Sequence, residues 1–448
     1  MVAKYDVAVV GGGIAGLTAA LYLARGGKRV VVLESQNQMG GRAITNMKDG
    51  IRFNLGSHAL YAGDAYDIFQ ELNINPDIFR KVDEFTPYGI WKEQMHPFPA
   101  AVRSLLKTSL LSAADKYRFG AILLKILKLD TATIPHMSLR DWMEEHVGSP
   151  MVRHFLYVLA RGGTYVQAPD LQVAGPLFRQ MQRSITGVYY LKKGWGSLIE
   201  EMCSEARRLG VVLITGRKVK SVEHDDGRVQ RVRCENGETI EVPYVILTTS
   251  PKISSRLVPS SELTSLRTWE QQAIPITAAC LDIGLRRLPA PQYQFVYGID
   301  QPVLMINSSR IKGLELSEND DVQVYQMIKF QVQGSHAQED RSQLEQAMDL
   351  VHPGWRREVV AEQYLPKMTV VHDFPHMKRV ENPGPAIPQI KGLYVAGDWV
   401  SHGEYLASGA AASAKRRNRI RGSGTSRHLA RLVLEHDVDD ERDDETIE

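Results

Sequence analysis

Gly11, Gly13 and Gly16 are spaced G-x-G-x-x-G, after the valine-rich run YDVAVV and before the apolar stretch IAGLTAALYLAR. That order predicts a strand, a turn and a helix. Without side chains in the turn, its backbone N–H groups and the start of the helix, Ile14 and Ala15 included, can meet a pyrophosphate at the positive helix end. Gly11 makes the tight turn, Gly13 admits the phosphates and Gly16 lets helix and strand pack closely. Beyond Gly26 and Gly27 the run RVVVLE restarts an apolar segment typical of a buried parallel strand, and it ends on Glu34. A carboxylate there can accept both hydroxyls of an adenosine ribose and would repel a 2′-phosphate. The chemistry predicted is adenine dinucleotide binding, and this unit alone does not separate FAD from NAD.

The separation comes from the next segment, ESQNQMGGR, where Gly40-Gly41-Arg42 resembles the second glycine signature of a flavoprotein superfamily. That superfamily contains amine oxidases, phytoene desaturases and protoporphyrinogen oxidases. The resemblance implies FAD, with the Arg42 fork offered to pyrophosphate oxygens or to the flavin edge. No cysteine follows Cys280 to form a thioether near the closing motif, so the FAD is expected to be non-covalent. Phe53 to His58 (FNLGSH) resembles the D-x-G segment that runs under the flavin in that superfamily, with Asn54 in place of the acid. By that resemblance Gly56 and Ser57 line the isoalloxazine and His58 is a candidate catalytic residue, or else a hydrogen-bonded structural histidine.

Further along, Tyr190 to Glu200 (YLKKGWGSLIE) resembles the superfamily's glycine-bearing lead into a helix, and Gly216-Arg217-Lys218-Val219 its adenine-contacting strand. Val219 is the implied adenine contact. Leu393 to Asp398 (LYVAGD) resembles the strand that closes the FAD site. The resemblance assigns Gly397, Asp398 and Ala407 to the cofactor, with Asp398 accepting a ribityl hydroxyl. A helix beginning near Ser408-Gly409 would turn its positive end to the flavin N1 and C2 oxygen and so favour the anionic reduced form. Tyr405 resembles one wall of the aromatic cage of amine oxidases, and a packing role fits it equally.

Amine oxidases of the superfamily carry a lysine near the flavin on a substrate-domain strand, read here at Ile276 to Leu285, which has none. The run after Asp398, WVSHGEYLASGAAASA, also lacks the glycine-rich, proline-bearing pattern of carotenoid desaturases. What the resemblance implies is therefore the shared reaction, hydride removal from a small organic substrate. A dehydrogenase or desaturase of an apolar, unsaturated compound ranks first, with oxygen or a quinone taking the electrons. A flavin-containing amine oxidase is the alternative, and a structural or non-redox flavoprotein the third reading.

The elements that must position these groups suggest an α/β protein: a Rossmann-like FAD-binding domain with a discontinuous α+β substrate domain. The expected FAD-binding parts are 1–62, 191–251 and 386–420. Substrate-domain parts are expected at 63–190, mostly helical, and at 252–385, with a polar tail at 421–448 ending DVDDERDDETIE. A length of 448 residues suits such a division. A net charge of +2 gives no global field toward nucleic acid, and none is expected as a partner. Three spaced cysteines, Cys203, Cys234 and Cys280, without a C-x-x-C pair, predict neither a disulfide frame nor a metal site. The first strand begins near Tyr5 and the most apolar helical run is short and broken by Lys125 and Lys128, so a cytoplasmic location is expected. Between Arg103 and Lys128, leucines alternate with regularly spaced cations, a pattern for weak peripheral contact with anionic membranes.

Overall fold

The computed structural model describes residues 4–56, 59–332, 334–400 and 403–415. Its first layer is a five-stranded sheet in the order 212–214, Val30–Leu33, Val7–Val10, Tyr244–Leu247, Leu393–Val395, with every pairing parallel. The inner strands are continuous apolar runs because both faces are covered, as parallel sheets require. Val7 and Val9 face the helices Ile14–Arg25, Trp195–Arg208 and Leu406–Lys415. Ala8 and Val10 face the antiparallel strands Val219–Asp225, Arg228–Cys234 and Thr239–Glu241. The turn between the first two of these is Asp226-Gly227, both at positive φ, as two-residue hairpins demand.

A second, seven-stranded sheet runs in the order Val359–Val371, Ile276–Leu285, Gln323–Phe330, Val303–Asn307, Phe295–Gly298, Pro87–Trp91, Gln94–Pro97. The helix Ala337–Val351 covers one face. The other face carries Ile276, Ala278 and Cys280 toward Phe53, Tyr165 and Tyr405. Five helices between Val102 and Thr186 form a separate helical core around Phe119, Phe155 and Phe178.

Two features differ from the sequence expectation. The stretch from Gly63 to Tyr157, read as mostly helical, includes three strands between Phe79 and Pro97, two of which complete the large sheet. Their hairpin turns on Lys92-Glu93, both at positive φ, a pair that lacks the Asn-Gly or Asp-Gly signal. Packing also does not divide at residue 62: Ile68 and Phe69 of the helix Asp64–Glu71 join the core beneath the parallel sheet. The polar tail expected at 421–448 lies outside the described residues.

Candidate functional site

A cavity of about 1020 Å³ opens between the two sheets. One end is built from the glycine turn. Gly11 sits at φ 111°, and a Cβ on Gly16 would lie 2.0 Å from the Gly11 carbonyl oxygen, so helix and strand touch through that position. Gly13 and Gly41 are different: the nearest atoms to a Cβ there are 3.8 and 3.6 Å away, and both residues line the cavity. Gly40 donates its N–H to the Gly12 carbonyl at 2.8 Å, and Gly13 bridges Gly40. The two glycine signatures are therefore stitched into a single side-chain-free channel, with Ile14 and Ala15 at its helical end.

Glu34 is buried at the end of the second strand and lines the same channel. Its Oε2 accepts the Gly12 N–H at 2.7 Å and its Oε1 the Gln36 N–H at 2.9 Å. The Ser35 hydroxyl also donates to Oε1 at 3.1 Å. Of a carboxylate's roughly four acceptor positions one remains for a ribose hydroxyl, and rotation of the Ser35 side chain opens a second. Val219 lines the cavity nearby, with Arg217 paired to Glu238 and Lys218 to Glu235. A channel that a Cβ would block, ending on an oriented carboxylate, fits a dinucleotide.

At the opposite wall, Arg42 and Asp398 meet each other. The guanidinium donates to Asp398 Oδ2 at 2.9 Å and to the Val370 carbonyl at 2.7 Å, and the His372 N–H reaches the same carboxylate at 3.0 Å. Burial alone would raise the Asp398 carboxyl, but Arg42 and His372 hold it below the ordinary carboxylate range. Burial pushes the His372 imidazole down, which keeps it neutral at pH 7. Gly397 and Ala407 line the cavity here, as does Leu406 at the start of the closing helix, two residues earlier than the sequence predicted. That helix directs its positive end at the wall.

Leu55, Ala59, Tyr165, Leu365 and Met368 give the remaining wall an apolar character. Gly56 lies behind it, at φ 90°, where a Cβ would meet Met368 and Cys280 within 2.9 Å. Tyr405 is buried at 2% exposure in the core of the large sheet and is not among the lining residues; the Gln172 amide lies 3.5 Å from its hydroxyl. Ser57 and His58 lie outside the described residues. Among the described residues, no three His, Cys, Asp or Glu side chains gather as a metal ion would need.

Several residues at the site carry no motif. Asn54, at the position where an acid was expected, accepts the Trp195 N–H at 2.9 Å and the Thr45 hydroxyl at 2.7 Å, capping the start of the helix Trp195–Arg208. An amide oxygen serves that purpose without burying a charge. Thr248, just past a buried strand, donates its hydroxyl to the Val10 and Gly11 carbonyls at 2.9 Å and so braces the glycine turn. Lys367 lines the cavity from Val359–Val371, the strand beside Ile276–Leu285. The register between these strands slips at Ala278 to Cys280, opposite Pro366-Lys367, a bulge that puts both residues on the cavity's lining, Lys367 at an exposed position. Proline in an edge strand was the available signal.

Comparison with known proteins agrees with this geometry. The model of the family described as flavin containing amine oxidoreductase matches residues 14–278. Hydroxyneurosporene desaturase of Rhodobacter capsulatus is 24% identical over 297 residues, covering 56% of this chain and 57% of that protein. The chain thus spans little more than half the length of this curated relative. Among solved structures, an oxidoreductase from Methanosarcina mazei superposes with a TM-score of 0.74 at 17% identity, covering 91% of this chain and 98% of that one. A putrescine oxidase mutant gives 0.71 at 15% identity, covering 96% and 99%. At these identities the likeness is one of fold: a parallel nucleotide-type sheet joined to a substrate domain.

Proposed function

The chain belongs to the family of flavin-containing amine oxidoreductases, and from that premise we propose that it holds FAD non-covalently and removes a hydride from an apolar, unsaturated organic substrate. The observation that carries this reading is the cavity's two-part wall: a glycine channel ending on Glu34, continuous with an apolar section made by Leu55, Ala59, Tyr165 and Met368. Bound FAD supplies the hydride acceptor, N5 of its ring system. The protein's share is placement and dryness. Gly13 and Gly41 admit the pyrophosphate, Glu34 takes the adenosine ribose, and the Arg42–Asp398 pair with the closing helix faces the flavin end. Apolar side chains exclude water and hold a substrate C–H in line, which supplies most of what this reaction needs. Tyr405 packs behind that wall. Oxygen or a quinone removes the electrons.

A second reading, amine oxidase chemistry, has one observation in its favour. Lys367 provides from a neighbouring strand the cavity lysine that Ile276–Leu285 lacks.

Three measurements test the proposal. Acid or heat should release FAD into the supernatant, and turnover with a quinone should give a product two hydrogens lighter than the substrate. Flavin that stays with the denatured polypeptide contradicts the non-covalent site. Glu34→Ala should weaken FAD binding by at least tenfold, since each charged hydrogen bond is worth about 1.5–3 kcal/mol. Glu34→Gln, which retains an acceptor, should lose less; equal retention by all three proteins would place the ribose elsewhere.

A further inference from the structure

We propose that the paired outer faces of the helices Val102–Lys107 and Ala113–Lys128 dock the protein on an anionic lipid surface. The inference stands independently of the reaction assigned to the cavity. Val102, Leu106, Tyr117 and Leu124 are 77%, 70%, 80% and 60% exposed. They follow helical spacing: Val102 and Leu106 are four residues apart and Tyr117 and Leu124 seven, so each pair shares a face. The two helices abut there. The Lys116 ammonium donates to the Leu106 carbonyl at 2.8 Å, and Leu105 lies 3.9 Å from where a Cβ on Gly120 would stand.

The longer helix has already satisfied its core. Phe119, Ile122 and Ile126 are buried in the helical cluster with Phe155. A solvated helix presents polar residues on its other side, whereas this one presents a second apolar stripe. Flanking the stripe are Arg103, Lys107 and Lys128, none with a carboxylate partner among the described residues, while the Lys125 ammonium lies 5.7 Å over the Trp142 ring. The segment from Val102 to Lys128 holds six cations and one carboxylate, Asp115, which Arg118 pairs at 3.0 Å.

Charge decides the occupant. A second copy of this chain would bring these cations against each other, which opposes self-association. Lipid phosphates accept the ammonium and guanidinium groups while the leucines and the tyrosine enter the acyl boundary, with lysine stems lying between. No helix among the described residues is long and apolar enough to cross a membrane, so the contact lies on the surface.

The test is sedimentation of the FAD-loaded protein with vesicles of phosphatidylcholine containing about one-third phosphatidylglycerol, compared with phosphatidylcholine alone. Binding is expected with the anionic vesicles and should fall as salt rises. Removing two cations, Arg103→Gln with Lys128→Gln, should lower the partition coefficient roughly 30-fold. Leu106→Gln with Leu124→Gln should abolish pelleting, while flavin content and melting temperature match the parent. Absence of pelleting at low salt overturns the proposal, as does equal pelleting with phosphatidylcholine alone or binding undiminished in both variants. A concentration-dependent dimer that the leucine variant dissolves, without vesicle binding, overturns it in favour of a second copy.

Discussion

Gly16→Ala is expected to lose both stability and cofactor, whereas Gly13→Ala loses only the cofactor. The new methyl at Gly16 would stand 2.0 Å from the Gly11 carbonyl oxygen and 2.9 Å from the Thr248 hydroxyl. The first of these is backbone, so the helix Ile14–Arg25 must move off the sheet. Overpacking of this kind costs about 1–3 kcal/mol, and the displaced helix carries the cofactor channel with it. At Gly13 the backbone is already extended at φ −80°, and the nearest atom to a methyl is 3.8 Å away, so the apoprotein tolerates the change. There the methyl enters the channel itself. Melting curves of apo and FAD-loaded protein read the two effects apart; equal apo stability for both variants would contradict the close packing at Gly16.

The second large effect concerns Asp282, a fully buried carboxyl on the strand Ile276–Leu285. Among the described residues its one hydrogen bond is from the Gln363 amide, 3.5 Å from Oδ2, and Oδ1 has no hydrogen-bond partner there. Burial pushes this carboxyl up to about 8, so it is neutral in the folded protein at pH 7. An unfolded aspartate ionises near pH 4. Between these values the folded state keeps a proton that the unfolded state has released, so stability falls as pH rises. The full contribution is present below about pH 4 and is lost by about pH 8, at roughly 1.4 kcal/mol per pH unit and about 5 kcal/mol at most. Asp282→Asn, neutral throughout, should remove that slope and melt higher than the parent at pH 8. Denaturant midpoints across this range measure it, and parallel slopes for the two proteins would show that Asp282 is charged in the fold.

What the sequence revealed divides along physical lines. Val7–Val10, Val30–Leu33, Tyr244–Leu247 and Leu393–Val395 were legible because a strand buried on both faces is an unbroken apolar run. The channel residues followed from the glycine turns. The strand pair around Lys92-Glu93 was not legible, since tertiary packing holds two ordinary residues at positive φ there. Nor was the function of Asn54, whose partner Trp195 lies 141 residues away in the chain. His372 and Lys367 reach the cavity through an edge strand and its bulge, which residue spacing alone does not encode. Tyr405 is the converse case: its distance from Asp398 fits a cage wall and a packing role alike, and the chain turns the ring into the core. A motif reports where the backbone passes more reliably than where a side chain points.

Hydride transfer from an apolar, unsaturated substrate to bound FAD is open to test by anaerobic mixing. Purified FAD-loaded protein is combined in turn with polyenes, porphyrinogens and simple amines while the yellow flavin band is followed. A polyene or an unsaturated ring compound is expected to bleach the band, readmitted oxygen or a quinone to restore it, and primary and secondary amines to leave it unchanged. Fast bleaching by amines, with hydrogen peroxide formed on readmitting air, would contradict the account and place Lys367 in amine oxidase chemistry; a flavin that no compound reduces would leave FAD a structural or non-redox role.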